Sequence, residues 1–224
     1  RTEQQASSVE ETATACRDLG AKAAVQLADV ETFEGSEGVM AAAVARFGRL
    51  DVLVNNAGIA GGGECAHASA AEWQRTLNIN LMGVVRGVRE FVPMMEAQKS
   101  GRVINVASFA GLAGAPGLGA YGVSKAAVVA LSEGMRGELL PKGIHVSVLC
   151  PSFFKTRLLE SFQGPPDTPL KHIASKLMEQ SPLDAAAVAR YTVDESERGR
   201  FLLLPHKDTR IRWWLKRWMP GVYF

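Results

Sequence analysis

Residues 51–58 read DVLVNNAG, an apolar run that ends in two asparagines, an alanine and a glycine. Val52, Leu53 and Val54 are uninterrupted by polar residues, which is typical of a strand covered on both faces. Four other short apolar runs resemble it, so the predicted strands are 23–27, 50–55, 102–107, 144–150 and 201–204. Strands of this kind are expected in a parallel sheet.

Helical patterns separate these strands. Apolar residues recur at helical spacing over 3–19, 41–47, 70–98, 121–140 and 185–191, and Gly20 and Gly48 end the first two segments. Strands of about five residues that alternate with helices of about fifteen predict right-handed βαβ units. The sequence therefore predicts an α/β fold, a doubly wound, Rossmann-like parallel sheet with helices on both faces, as a single domain over residues 1–224. Within it we expect a flap over a pocket at 153–180 and a basic aromatic tail at 205–224.

The composition is that of an ordinary globular chain, with 47% hydrophobic and 21% charged residues among 224, and this excludes a disordered protein. A formal charge of +2 is too near zero for nucleic acid to be the expected partner. Cys16, Cys65 and Cys150 stand far apart and in no metal-ligand spacing. We therefore expect free thiols in a reducing cytoplasm, no signal peptide and no bound metal.

Polar side chains stand where the predicted strands end. Ligands of an open parallel sheet bind outside the carboxyl ends of its strands, where Asn56 follows one strand and Ser108 follows the next. The next helix carries Tyr121 and Lys125 one turn apart, so both side chains lie on one face. A lysine ammonium favours phenolate and is expected to lower the pKa of Tyr121 from about 10 toward neutrality. The pair would act as acid and base, and the Ser108 hydroxyl could bind a carbonyl or alkoxide oxygen.

The order and spacing of these residues resemble the short-chain dehydrogenase/reductase family. The resemblance covers about residues 1–156 and rests on the run Asn55-Asn56-Ala57-Gly58, on Ser108, and on Tyr121-x-x-x-Lys125 thirteen residues after that serine. It implies hydride transfer between a nicotinamide cofactor and a carbonyl or alcohol. Tyr121 would pass the proton, Lys125 would lower the tyrosine pKa and bind the ribose, and Ser108 would orient the substrate oxygen.

The resemblance also implies the remaining site residues. The backbone carbonyl of Asn80 would hold a proton-relay water beside the lysine. Asp29 and Val30 would lie near the adenine, and the segment after Pro151 would hold the nicotinamide carboxamide. The implied cofactor set is Arg1, Asp29, Val30, Asn56, Ala57, Gly58, Tyr121, Lys125, Pro151, Ser152, Phe154 and Thr156.

The sequence departs from the family in two places. The strand, glycine-rich turn and helix that would receive the pyrophosphate do not occur in these residues, so we expect a first unit of roughly 35 residues to be missing before Arg1. Arg1 stands near where members that prefer NADP place an arginine for the 2′-phosphate, which favours NADP over NAD. Ser152 replaces the usual glycine after Pro151, where a positive φ would strain the backbone. The motif GLGAYG at 117–122 follows its strand too late to be a dinucleotide loop.

Each motif also has an ordinary structural interpretation. A tyrosine and a lysine one turn apart are often a half-buried ring beside a solvated amine, the run 55–58 could be a turn, and Asp29 could cap the following helix. The chain could also be a non-catalytic nucleotide-sensing or scaffold protein, since a fold does not fix a function. The joint order of the motifs favours the enzyme.

Large apolar side chains in the flap indicate the substrate class. We expect Phe153 and Leu159 to line an apolar pocket together with Phe109 and Leu118, which favours a lipophilic ketone or secondary alcohol. Ordinary core packing explains the same residues about as well.

The tail interleaves bases with indoles. Residues 210–219 read RIRWWLKRWM, and residues 198–224 hold seven Lys or Arg against one Asp. Such a stretch can lie on an anionic membrane, or it can pack on the flap or on another subunit. Because it is short and its hydrophobic residues need burial, packing is favoured over a membrane. The family resemblance implies a homodimer or homotetramer.

Overall fold

A computed structural model describes residues 3–162 and 169–224. Four parallel strands pair in the order β1-β2-β3-β4. They are β1 (Val52–Asn55), β2 (Gly101–Val106), β3 (Ile144–Leu149) and β4 (Leu202–Leu203). The helices are α1 (Glu3–Asp18), α2 (Phe33–Phe47), α3 (Ala70–Leu77), α4 (Gly83–Gln98), α5 (Ala110–Ala113), α6 (Gly119–Leu139), α7 (Pro169–Glu179), α8 (Ala185–Glu197), α9 (Lys207–Trp218) and α10 (Pro220–Tyr223).

Helices cover both faces of the sheet, so the predicted α/β class is confirmed. Leu53, Val103 and Val146 are neighbours in register across three strands, and they pack against side chains of α4 and α6. Burying apolar side chains of this size contributes about 1.5–3 kcal/mol each. On the other face, Val188 of α8 packs against Leu203 of β4. This packing fixes the strand ends that carry the polar residues.

A buried polar chain crosses the sheet just before the strands end. The side-chain amide of Asn55 donates to the side-chain oxygen of Asn105 at 2.9 Å, and the side-chain amide of Asn105 donates to the Ser132 hydroxyl at 3.0 Å. Asn105 and Ser132 are fully buried, where an unpaired amide would be unfavourable. The network joins β1, β2 and α6, so it fixes how their carboxyl ends meet.

The predicted strand at 23–27 is wrong. Residues 21–29 have no regular secondary structure, and Leu27 is exposed. A strand needs a neighbour for its backbone hydrogen bonds, and in the described ranges no strand lies beside this segment. The sheet of the described residues ends at β1, where Val52 and Val54 are exposed.

The helix predicted over 70–98 contains a widened turn. Ser69 caps its start, but a π turn, Asn78–Met82, separates α3 from α4, and the Gly83 N–H donates to the Asn78 carbonyl five residues back. Such turns are frequent at functional sites. Here the turn carries Asn80 toward the end of β1.

Two predicted helices are longer in the structure than in the sequence-based prediction. The helix ended by Gly48 begins at Phe33 rather than near residue 41, and α8 extends to Glu197 rather than 191. The flap and the tail, predicted without regular elements, contain α7 and α9. Within the described ranges, no helix is both long and apolar enough to span a bilayer.

We expect Asn105→Ala to lower the free energy of unfolding by about 2 kcal/mol, because the Asn55 amide and the Ser132 hydroxyl lose a buried partner. Urea denaturation measures this change. The exposed Asn56 gives the control, since Asn56→Ala should change stability by less than about 0.5 kcal/mol. Equal losses in the two variants would contradict a structural role for the network.

Candidate active site

The loops that leave β1, β2 and β3 lie side by side at one edge of the sheet. The Ala107 N–H donates to the Leu149 carbonyl at 2.8 Å, and the Phe109 N–H donates to the Pro151 carbonyl at 2.9 Å. Ser108 therefore stands between two backbone hydrogen bonds that join the second and third loops. The start of α6 passes over the same edge and brings Tyr121 and Lys125 to it.

Lys125 is the buried charge of the site, with only 5% of its surface exposed. Its Nζ donates to the Val106 carbonyl at 2.9 Å, which uses one of three ammonium protons. Burial lowers the pKa of Lys125 from 10.5 to about 8. A Cβ on Gly58 would lie 3.4 Å from this Nζ, so the glycine permits the β1 loop to approach the ammonium closely.

Asn80 clamps the β1 loop to α6. Its side-chain oxygen accepts from the Ile59 N–H at 2.8 Å, and its amide donates to the Ile59 carbonyl at 3.1 Å. The same amide donates to the Ser124 hydroxyl at 3.1 Å, and that hydroxyl donates to the Tyr121 carbonyl at 2.7 Å. The sequence reasoning missed Ser124, although its position beside Lys125 on the face of α6 was a usable signal. The water-holding role assigned to the Asn80 carbonyl stays a prediction.

The predicted direction of the Tyr121 pKa shift is wrong. Burial raises the pKa of Tyr121 above 10.0, and the neighbouring Ser108 hydroxyl lowers it by less. The Lys125 Nζ lies 6.0 Å from the centre of the tyrosine ring and hydrogen-bonds to the backbone of β2. Removing the phenol from water therefore outweighs the attraction of the ammonium, and Tyr121 is a neutral phenol in this structure.

The residues predicted near the adenine form a turn that side-chain hydrogen bonds stabilise, called the braced turn below. The Asp29 carboxylate accepts from the Glu31 N–H at 3.0 Å, whereas the cap of α2 is Thr32 rather than Asp29. The Val30 carbonyl accepts from the buried guanidinium of Arg86 at 2.9 Å. Sequence reasoning missed Arg86, since nothing in the local pattern distinguishes it from a solvated helix arginine. The predicted contact of Arg1 lies outside the described residues.

The predicted nicotinamide loop rests on a histidine that sequence reasoning also missed. The Ser152 N–H donates to His206 Nδ1 at 3.2 Å, and His206 is buried with its pKa lowered by that burial. Ser152 has no positive φ, because Lys99 is the only residue besides glycine with one in the described ranges. The prediction that Ser152, in place of the family's glycine, strains the backbone is therefore wrong. Further along the loop, the Thr156 hydroxyl accepts from the Leu158 N–H at 3.0 Å.

The four predicted pocket residues separate into two groups. Phe109 is buried in the core with Val128, which supports its packing interpretation, and its place in the pocket wall stays a prediction. Leu118 bridges to Gly63, and Phe153 and Leu159 keep part of their surface open.

The flap covers the glycine-rich loop that follows β1. A Cβ on Gly62 would overlap the Leu170 side chain and would lie 3.0 Å from that of Phe162. The Ala60 N–H donates to the Ser161 hydroxyl at 3.3 Å. The described part of the flap is therefore seated directly on the loop beside Asn80 and Lys125.

These residues fit a nicotinamide dinucleotide. A buried ammonium with further protons to donate suits ribose hydroxyls. Because Gly58 has no side chain, nothing at that position of the loop obstructs a ribose beside the ammonium. In contrast, the residues that the structure describes contain no group of three or more His, Cys, Asp or Glu able to hold a metal ion.

A parallel sheet with a buried tyrosine and lysine at its carboxyl end defines a Rossmann-type oxidoreductase class. The chain belongs to the short-chain dehydrogenase family. The family model described as short chain dehydrogenase matches residues 2–165. The family resemblance drawn from the sequence is thereby confirmed.

Individual relatives support the same assignment. The chain is 36% identical over 195 residues to a Streptomyces virginiae protein described as a ketoacyl reductase of the monensin polyketide synthase, with 84% of this chain and 72% of that protein covered. It spans 60% and 48% of the next two curated relatives.

Two solved structures share the fold. A short chain dehydrogenase/reductase from Burkholderia phymatum in complex with NAD superposes with a TM-score of 0.87 at 29% identity, covering 95% of this chain and 81% of that one. A gluconate 5-dehydrogenase from Burkholderia cenocepacia in complex with NADP and tartrate gives 0.64 at 30% identity, covering 70% and 61%.

The Lys125 pKa makes a testable prediction about stability. Because the folded pKa of about 8 lies below the usual 10.5, the unfolded chain binds more protons between those pH values, and stability rises with pH there. We expect the free energy of unfolding to rise relative to Lys125→Met by on the order of 2 kcal/mol from pH 8 to 10.5.

Urea denaturation across that pH range checks this expectation. Lys142→Met is the matched control, because the Lys142 ammonium is half exposed and paired with Glu96 at the surface. The control should follow the wild-type profile. Parallel pH profiles for wild type and Lys125→Met would contradict a buried, destabilised ammonium.

Proposed function

We propose that this protein binds NAD or NADP and interconverts a ketone or aldehyde with the corresponding alcohol, with Tyr121 as the acid and base. The observation that carries the proposal is the convergence of Asn80, Ser108, Tyr121 and Lys125 at the carboxyl end of the sheet, although they come from separate elements. The solved relatives that hold NAD and NADP support the cofactor class.

The tyrosine is suited to give a proton. In the direction of reduction, the neutral Tyr121 hydroxyl donates its proton to the substrate oxygen, while Ser108 donates a hydrogen bond to that oxygen and orients it. The raised pKa of Tyr121 keeps the proton on the phenol until the substrate oxygen becomes basic. In the direction of oxidation, the tyrosine oxygen takes the proton from the alcohol. A bound nicotinamide supplies or accepts the hydride at the substrate carbon.

The lysine and asparagine hold this arrangement together. The Lys125 ammonium, fixed by the Val106 carbonyl, would bind the ribose and favour a negative charge on Tyr121 when the proton leaves. Asn80 and Ser124 connect the β1 loop to the backbone of Tyr121. The braced turn of Asp29 and Val30 would hold the adenine, and the loop of Pro151, Ser152, Phe154 and Thr156 would hold the carboxamide.

The substrate is proposed to be lipophilic. Phe153 and Leu177 are exposed, and Leu159 is partly exposed, so the flap has apolar side chains available to a ligand. Apolar walls around a few polar groups are typical of sites that bind apolar ligands. The proposal extends to the location and the assembly of the protein. The free cysteines of the described ranges support a cytoplasmic location, and Val123, exposed on α6, supports a homodimer or homotetramer.

Replacing Tyr121 with phenylalanine tests the chemistry. We expect kcat to fall by about 10²- to 10⁴-fold because the proton donor is lost, while the Kd for NAD or NADP changes by less than about threefold. Tyr191→Phe is the matched control, since its hydroxyl only accepts from Arg210 at the surface, and its kcat should stay that of wild type. Retained turnover in Tyr121→Phe would refute the mechanism. Tight cofactor binding with no turnover by the wild type would favour a nucleotide sensor instead.

A panel of ketones tests the substrate class. We expect kcat/KM to be about 10- to 100-fold higher for bulky apolar ketones than for small polar ones, because each added apolar group gains contact in the pocket. Steady-state oxidation of the reduced cofactor, followed by absorbance, measures both. Equal kcat/KM values across the panel would remove the lipophilic assignment and leave the oxidoreductase assignment intact.

A further inference from the structure

The tail helix α9 carries an apolar stripe that no described residue covers. Ile211, Trp214 and Trp218 are 69%, 53% and 67% exposed, and Val222 and Phe224 beyond them are 67% and 79% exposed. Spacings of three and four residues place the first three on one face of the helix. Two exposed indoles beside an exposed isoleucine form an apolar patch of a kind that is unusual on a protein surface.

The opposite face of α9 is firmly attached to the fold. Thr209 is fully buried, and Trp213 packs against the core cluster that contains Val128. The Lys216 ammonium donates to the Leu112 carbonyl at 2.6 Å. The exposed stripe therefore results from a fixed helix orientation, and rolling the helix to bury it would remove these contacts.

Basic side chains border the stripe. Arg212, which pairs with the exposed Asp208 at 4.0 Å, lies on one side of it and Arg217 lies on the other. Lys207 lies within it at the first turn, and all three bases are exposed. Residues 205–224 hold five Lys or Arg against one Asp. A helix with aromatic and aliphatic residues on one face and bases along both borders matches the arrangement that binds at an anionic bilayer surface.

A second copy of the chain fits the stripe less well. A symmetric contact would place the stripe against itself and bring the bordering bases of both copies together, where like charges repel. Phosphate headgroups supply the opposite charge, and indole rings prefer the boundary between headgroups and acyl chains.

We propose that the stripe of Ile211, Trp214 and Trp218 docks this protein on an anionic lipid bilayer. The sequence alone favoured packing on the flap or on another subunit over a membrane, and the fixed orientation of α9 together with the bordering charges reverses that preference. The helix lies in the interface, and its bases contact the headgroups. Docking is independent of the proposed oxidoreductase activity.

Co-sedimentation of the full-length protein with vesicles tests the proposal. The vesicles contain phosphatidylcholine alone or with one third phosphatidylglycerol, at physiological salt. We expect binding to the anionic vesicles, weakened about tenfold or more by the double variant Trp214→Ser with Trp218→Ser, and weakened further by high salt. Quenching of tryptophan fluorescence by brominated lipids should likewise be lost in the double variant.

A control pair separates the stripe from general surface hydrophobicity. Leu19→Ser with Val193→Ser removes two exposed apolar side chains elsewhere and should bind anionic vesicles like wild type. Circular dichroism and turnover of a water-soluble ketone should be the same in both double variants, so a failure of docking is distinguishable from a failure of the enzyme proposal.

Three results would overturn the proposal. The first is no binding of the wild type to anionic vesicles. The second is equal binding by wild type and the tryptophan double variant. The third is light scattering that shows a dimer in wild type and a monomer in the double variant without lipid binding, which would identify a second copy as the partner.

Discussion

The Lys125 ammonium is buried at the carboxyl end of the sheet, and the surrounding elements are arranged to keep it there. A buried charge is unfavourable unless polar groups surround it, and the pKa of about 8 reflects that penalty. The Val106 carbonyl at the end of β2 accepts one of its protons. Gly58 lets the β1 loop close over it, and Asn80 holds that loop in place through both backbone groups of Ile59. The polar layer at Asn55 and Asn105 then fixes the strand ends beneath it.

Much of this arrangement was predictable because it depends on chain-local patterns. Unbroken apolar runs identify buried parallel strands, and β2 and β3 fall within one residue of their predicted limits. Carboxyl ends of parallel strands meet at one edge, so the sequence alone places Ser108 and the loop at 56–58 together. The spacing of Tyr121 and Lys125 put them on one face of α6. Each inference needed only the period of an element and the direction of a strand.

The remainder depends on contacts between distant segments, which local patterns do not contain. The segment 23–27 has a strand's composition, but pairing requires a neighbour, and that neighbour is a property of the whole sheet. The Tyr121 pKa depends on how completely packing removes water, and sequence spacing gives only the charge that opposes it. His206 and Arg86 act on loops more than 50 residues away. Neither carries a recognisable spacing to the residues it supports.

His206 connects the predicted nicotinamide loop with the tail helix α9. Its Nδ1 accepts from the Ser152 N–H, so the ring holds the loop predicted to bind the carboxamide, and the residue is also the N-cap of α9. An accepting Nδ1 requires the proton of the neutral ring to sit on Nε2, and Nε2 is buried with no partner in the described part of the chain. Burial also lowers the pKa of His206, which keeps the ring neutral and Nδ1 able to accept. The position of the predicted nicotinamide loop therefore depends on a neutral imidazole that stands at the start of the tail helix.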